Sequence, residues 1–188
     1  MKLLKNEDSL LTEFLAGKIF AYPTEAVFGL GCDPDQEQAV LALLALKQRP
    51  IEKGLILVAR SYSQLLPYVN DAAIPMYKRT EIFSSWPGPN TWLLPAAKNA
   101  PAWLTGGSEL IAVRVSAHPL VQSLCELFNK PLVSTSANLT GQPAAISEQE
   151  VIQQFPQQVV LIPGELGKSA NPSKIRHGIT GQIIRDNV

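Results

Sequence analysis

Lys53-Gly54-Leu55-Ile56-Leu57-Val58-Ala59-Arg60 sets five consecutive apolar residues between a glycine and an arginine. A run of this length without polar alternation suits a strand covered on both faces, as in a sheet packed between helices. Upstream, Ala39, Val40, Leu43 and Leu44 keep a helical period, and Asp35 is placed to cap that helix. Residues 18–22 read as a short strand, preceded by an amphipathic helix through Leu3, Leu4, Leu10, Leu11, Phe14 and Leu15 that Gly17 stops. Residues 29–31 read as a glycine-rich loop after Pro23. Downstream, residues 91–95, 110–115, 131–135 and 159–162 are strand candidates, and residues 119–128 a helix. Ser61 with Gln64 and Ser147 with Glu150 have capping-box spacing, each ahead of a short helix. Residues 174–185 read as two strands around Gly178 and Gly181. No linker, repeat or low-complexity segment divides the series, so residues 1–188 are expected to form a single α/β domain around a twisted mixed sheet.

Composition narrows the classes. A chain of 188 residues can build one sizeable core, and 46% hydrophobic with 17% charged residues is ordinary for a soluble globular domain. No apolar run approaches the roughly 20 residues of a membrane span. Glu7 and Asp8 arrive before a signal-peptide core could form, so a cytoplasmic location is expected. A formal net charge of zero argues against gripping nucleic acid with the whole surface, while leaving room for a local basic groove. Cys32 and Cys125 lack metal-ligand spacing and read as small buried residues of a reducing compartment. His118 and His177 have no partner at triad or metal spacing, which disfavours serine–histidine nucleophilic catalysis and a protein-built metal site.

Fifteen prolines cluster beside the strand ends, so the loops there should be stiff. Four such loops carry chemistry-bearing residues. In residues 22–31 a strand ends at Pro23, and Thr24 and Glu25 follow beside glycines that permit close backbone approach; a plain turn is the alternative. Lys47, Arg49 and Lys53 surround Pro50 at a helix end, where they either complement the helix dipole or converge on a polyphosphate. Residues 86–91 form a proline-rich turn into a strand. Residues 134–141 present small hydroxyl and amide groups, which serve equally as an N-cap and as a ligand cradle. Gly167-Lys168-Ser169 imitates the end of a P-loop, but Ile162 stands where the first glycine belongs and Asn171-Pro172 is poor helix sequence.

In order and spacing, these segments resemble the YrdC-domain family, in particular its short bacterial members that make threonylcarbamoyl-AMP. The matching stretches are residues 22–33 (YPTEAVFGLGCD), 46–50 (LKQRP), 53–58 (KGLILV), 86–91 (WPGPNT), 112–115 (AVRV), 131–141 (PLVSTSANLTG), 171–176 (NPSKIR) and 181–185 (GQIIR). Each is weak alone; the series is specific and covers nearly the full length.

The resemblance implies a YrdC-type mixed sheet around a concave basic cavity, and a nucleotidyltransferase reaction. L-threonine captures bicarbonate or CO2 as a carbamate, which attacks the ATP α-phosphate and releases pyrophosphate. Partner proteins of a threonylcarbamoyl-transferase complex then pass the group to adenosine 37 of tRNAs reading codons that begin with A. By resemblance Lys47, Arg49, Lys53, Thr91, Ser136, Asn138 and Arg185 belong to the ATP side, with Mg2+ sharing the phosphate charge. Thr24, Arg114, Ser134 and Ser173 belong to the threonine side. No membrane partner is implied; weak tRNA or other RNA binding is compatible. Longer relatives carry a histidine in the strand where this chain has Leu57-Val58, so a threonine contact made there must be replaced. Two other readings compete. One is a non-catalytic RNA-binding factor of rRNA maturation, which the neutral charge and the lack of spaced aromatics on a basic strand disfavour. The other is a carbamoyl-transfer enzyme, which would need zinc-motif domains that this chain lacks.

Overall fold

The computed structural model describes residues 6–169 and 171–186. In chain order the regular elements are α1 (Glu7–Leu15), β1 (Phe20–Pro23), β2 (Phe28–Gly31), α2 (Glu37–Leu46), β3 (Ile56–Ala59), α3 (Met76–Ser84), β4 (Asn90–Pro95), α4 (Ala102–Thr105), β5 (Leu110–Val115), α5 (Pro119–Leu127), β6 (Leu132–Ser136), α6 (Glu148–Gln154), β7 (Val160–Leu161), β8 (Lys174–His177) and β9 (Ile183–Arg185). The strands form one sheet in the order β7-β1-β2-β6-β3-β5-β4-β8-β9. The pairs β1–β7, β3–β5 and β4–β8 are parallel and the others antiparallel, which makes the expected mixed sheet.

The apolar run at β3 is covered on both faces. Leu57 and Ala59 enter a core with the α2 stripe Ala39, Val40, Leu43 and Leu44. Val58 enters a second core with Phe14 of α1 and Val121 and Leu124 of α5. Each strand divides its side chains between the two faces because the pleat alternates them. In β5, Ile111, Val113 and Val115 belong to the first core, while Leu110, Ala112 and Arg114 face the other way into an open cavity. The site therefore lies on the part of that sheet face which α1 and α5 leave uncovered.

Several expectations need correction. Residues 29–31 are strand β2, paired to both β1 and β6. A Cβ at Gly31 would lie 2.1 Å from Val133 O, so the glycine permits close strand approach. Asp35 does not cap α2, whose N-cap is Gln36. Its carboxylate instead accepts from Tyr68 Oη at 2.7 Å and pairs with Lys130 at 2.6 Å. Ser61 begins a 3-10 helix without a side-chain cap, and Gln64 Oε1 accepts from Arg60 N. Ser147 does cap α6, accepting from Glu150 N at 3.3 Å. In α1 Phe14 is buried but Leu15 is 66% exposed, while Leu3 and Leu4 lie outside the described residues. Cys32 and Cys125 are buried free thiols whose pKa burial pushes up to about 12.

Candidate active site

The cavity has a volume of about 520 Å³, inside the roughly 300–1,000 Å³ usual for small-molecule sites. Of the side chains singled out in the sequence, Thr24, Arg49, Lys53, Arg114, Ser134, Ser136, Ser173 and Arg185 line it. Lys47, Thr91 and Asn138 are not among the lining residues and sit in the layer behind them. Thr91 is fully buried on β4, and its hydroxyl lies 2.8 Å from Ser173 Oγ. Ser173 in turn is held from the other side: its carbonyl accepts from Arg185 Nη2 at 2.7 Å.

How α2 ends decides which cations reach the cavity. Arg49 N donates to Leu44 O and Gln48 N to Ala45 O, the paired bonds of a Schellman motif. Gln48 takes the left-handed position at φ 51°, and Pro50 prevents the helix from resuming. Lys47 and Arg49, on either side of this reversal, take different courses. Arg49 lines the cavity and donates to Gly54 O at 3.0 Å. Lys47 is 3% exposed, with Nζ bonded to the loop after β6.

The guanidinium groups of Arg49, Arg114 and Arg185 share the cavity wall. Burial lowers the Arg185 pKa, and the charges of Arg114 and Arg49 lower it further. Buried Nε atoms of Arg49 and Arg114 have no hydrogen-bond partner among the described residues. This arrangement suits an anionic ligand that supplies acceptors to several cations at once.

Two further residues, Glu25 and Ser116, belong to the site without a role assigned from the sequence. Glu25 Oε2 accepts from Arg114 Nη1 at 2.7 Å, while Oε1 accepts from Ser116 Oγ at 2.7 Å and Ala117 N at 3.2 Å. Burial raises the carboxyl pKa, but the Arg114 charge and the Ser116 bond outweigh it, leaving the pKa below the ordinary 4.5. The available signal was a single charge in each of two otherwise apolar segments, at Glu25 and at Arg114. The P-loop imitation also finds its place. Gly167 N and Ser169 N donate to Thr24 O and Glu25 O, and a Cβ at Gly167 would sit 2.7 Å from Glu25 Cα. The segment is a strap laid against the 24–27 turn, and no helix follows it among the described residues.

Fold and site together define an α/β domain whose sheet carries a cavity suited to an anionic small molecule. The chain belongs to the Sua5/YciO/YrdC family, described as "Telomere recombination", whose pattern it matches over residues 13–186. A threonylcarbamoyl-AMP synthase of Pseudoalteromonas atlantica is 70% identical over 96% of this chain and 97% of its own length. Another from Pseudoalteromonas translucida is 56% identical over 93% and 94%. Among solved structures, P. abyssi Sua5 complexed with L-threonine superposes with a TM-score of 0.84 at 31% identity, covering 93% of this chain. This chain spans about half of that Sua5, 52% of its length. The non-catalytic RNA-binding reading finds no support in these relatives. No helix among the described residues is long and apolar enough to cross a membrane.

Proposed function

We propose that this chain synthesises L-threonylcarbamoyladenylate from L-threonine, bicarbonate or CO2, and ATP, for threonylcarbamoyladenosine formation in tRNA. Near-full-length identity to synthases supports the reaction. The observation that carries its placement is the single cavity where Arg49, Arg114 and Arg185 meet the hydroxyls of Thr24, Ser134, Ser136 and Ser173.

The threonine amine bonds to the carbon of CO2 and loses a proton, giving a carbamate. A carbamate oxygen then bonds to the α-phosphorus while the bond from that phosphorus to pyrophosphate breaks. No covalent enzyme intermediate is required. The protein's task is to hold the carbamate in line with phosphorus and to offset charge; such positioning is worth up to roughly 7–11 kcal/mol. Arg114, Thr24, Ser134 and Ser173 form the threonine side. The Thr24 hydroxyl donates to Val27 O at 2.7 Å, so its lone pairs can accept from the amine. Arg114 is oriented by Glu25, leaving the rest of its guanidinium for a carboxylate. Arg49, Lys53, Ser136 and Arg185 form the ATP side, supported from behind by Lys47, Thr91 and Asn138. Magnesium arriving with the triphosphate would offset its charge, held chiefly by phosphate oxygens, and Glu52 in the same cavity can add one more oxygen. The product passes to threonylcarbamoyl-transferase proteins in the cytoplasm, with any RNA contact weak.

Purified protein should release pyrophosphate from ATP when both L-threonine and bicarbonate are present. Release that ignores the omission of threonine would overturn the assignment.

A further inference from the structure

Lys47 is gripped twice by the loop that leaves β6. Its Nζ donates to Ser136 O at 2.5 Å, to Asn138 O at 2.7 Å and to Asn138 Oδ1 at 3.2 Å, one acceptor for each of its three protons. Its main-chain carbonyl accepts from Thr140 N at 3.2 Å and from Thr140 Oγ1 at 2.7 Å. Asn138 Oδ1 also accepts from Ser136 Oγ at 2.6 Å, and Asn138 Nδ2 donates to Gln142 O at 2.8 Å. The turn is thus wound around one lysine, and it places Ser136 on the cavity wall.

The geometry points to Lys47 as a positioning residue, acting on the nucleotide through the Ser136–Asn138 turn without touching the phosphates itself. This rests on the synthase reading and sharpens it. A lysine that serves as a phosphate ligand keeps an N–H aimed into the cavity, as a point charge with rotatable donors. Here all three protons are committed to the turn, and Arg49, Lys53, Arg114 and Arg185 are the cations that line the space. Burial also pushes the ammonium down to about 8, with Arg49 adding repulsion. The three oxygen acceptors oppose that shift by favouring the charged form. The arrangement is that of a buried tie between α2 and β6.

A double-mutant cycle tests it. Pyrophosphate release is measured as kcat/KM for ATP in Lys47→Met, Asn138→Ala and the double variant, with Arg185→Ala as an independent reference. Each of the first two should lose roughly 100-fold, the scale of a misplaced active-site group. The double variant should be no worse than the poorer single, because both changes break the same turn. Lys47→Met combined with Arg185→Ala should multiply. Multiplying losses in the Lys47/Asn138 pair would overturn the inference. If Lys47→Met does not fold, a crystal structure of the wild type with a non-hydrolysable ATP analogue decides. Nζ within about 3.2 Å of the Ser136 and Asn138 carbonyls supports the inference, and Nζ on a phosphate oxygen overturns it. Wild-type turnover separates the two layers. Its absence sinks the synthase reading, whereas turnover with multiplying losses sinks only the role of Lys47.

Discussion

At the turn of residues 24–27 the buried cation is Arg114 and its partner is the Glu25 carboxylate; at the turn of residues 136–140 the buried cation is Lys47 and its partners are carbonyl and amide oxygens. Both turns border the same cavity, and both are tied to a neighbouring element through a side chain that water barely reaches. The first tie is balanced in charge within the protein. The second carries an unbalanced positive charge close to Arg49, and its acceptors are dipoles only. One tie is therefore balanced before any ligand arrives, and the other tolerates a cost at the place where a polyanion is proposed to bind.

The largest expected effect comes from breaking the balanced tie on one side. Glu25→Ala leaves a guanidinium buried without its counter-charge and should cost about 3–5 kcal/mol in urea unfolding. A loss below about 1 kcal/mol, the range of a solvated pair, would dissolve the contrast. Lys47→Met should differ in kind. Removing a buried charge and stranding its acceptors are opposing terms, so Tm should move by only a few degrees while ATP turnover falls steeply. A Tm drop as large as that of Glu25→Ala would make Lys47 an ordinary structural residue.

The two ties also respond to pH in different windows. Glu25 has a folded pKa below 4.5, so its contribution is complete above 4.5 and is lost as pH falls through the folded value. Glu25→Gln should flatten the acid limb of urea midpoints. Lys47 has a folded value of about 8 against an ordinary 10.5, so between these the unfolded chain binds more protons. Stability from this group therefore rises with pH across that window, and Lys47→Met should remove the rise. An unchanged alkaline limb would mean that the ammonium carries no burial cost. The smallest effect concerns the helix end that separates Lys47 from Arg49. Gln48→Gly relieves a left-handed non-glycine residue and should gain about 0.5–1 kcal/mol with activity unchanged. A net loss would show that the Gln48 side chain has a role of its own.

What was legible in the sequence follows from the range of the forces involved. The β3 run and the α2 stripe were readable because burial imposes its period directly on the sequence. Strand β2 was not, since Gly29 and Gly31 look like loop residues until β6 is seen lying against them. Asp35 has the sequence position of a cap, but Tyr68 and Lys130, distant in sequence, take its carboxylate instead. In the site, residue types and spacing pointed to Thr24, Arg49, Lys53 and the hydroxyls of residues 134–136, whereas Arg114, Ser173 and Arg185 followed only from the family resemblance. They could not tell that Arg49 faces it while Lys47 faces away, because that depends on one reversal of the backbone at Gln48. The Glu25–Arg114 pair joins residues far apart along the chain, and only the fold brings them together.

The most direct test of the synthase assignment supplies carbon-labelled bicarbonate with ATP and L-threonine and follows the adenylate product by mass spectrometry. The expected result is a labelled threonine-containing adenylate that disappears when threonine is withheld, together with pyrophosphate in equal amount. AMP and pyrophosphate formed without incorporated label, or at the same rate without threonine, would contradict it.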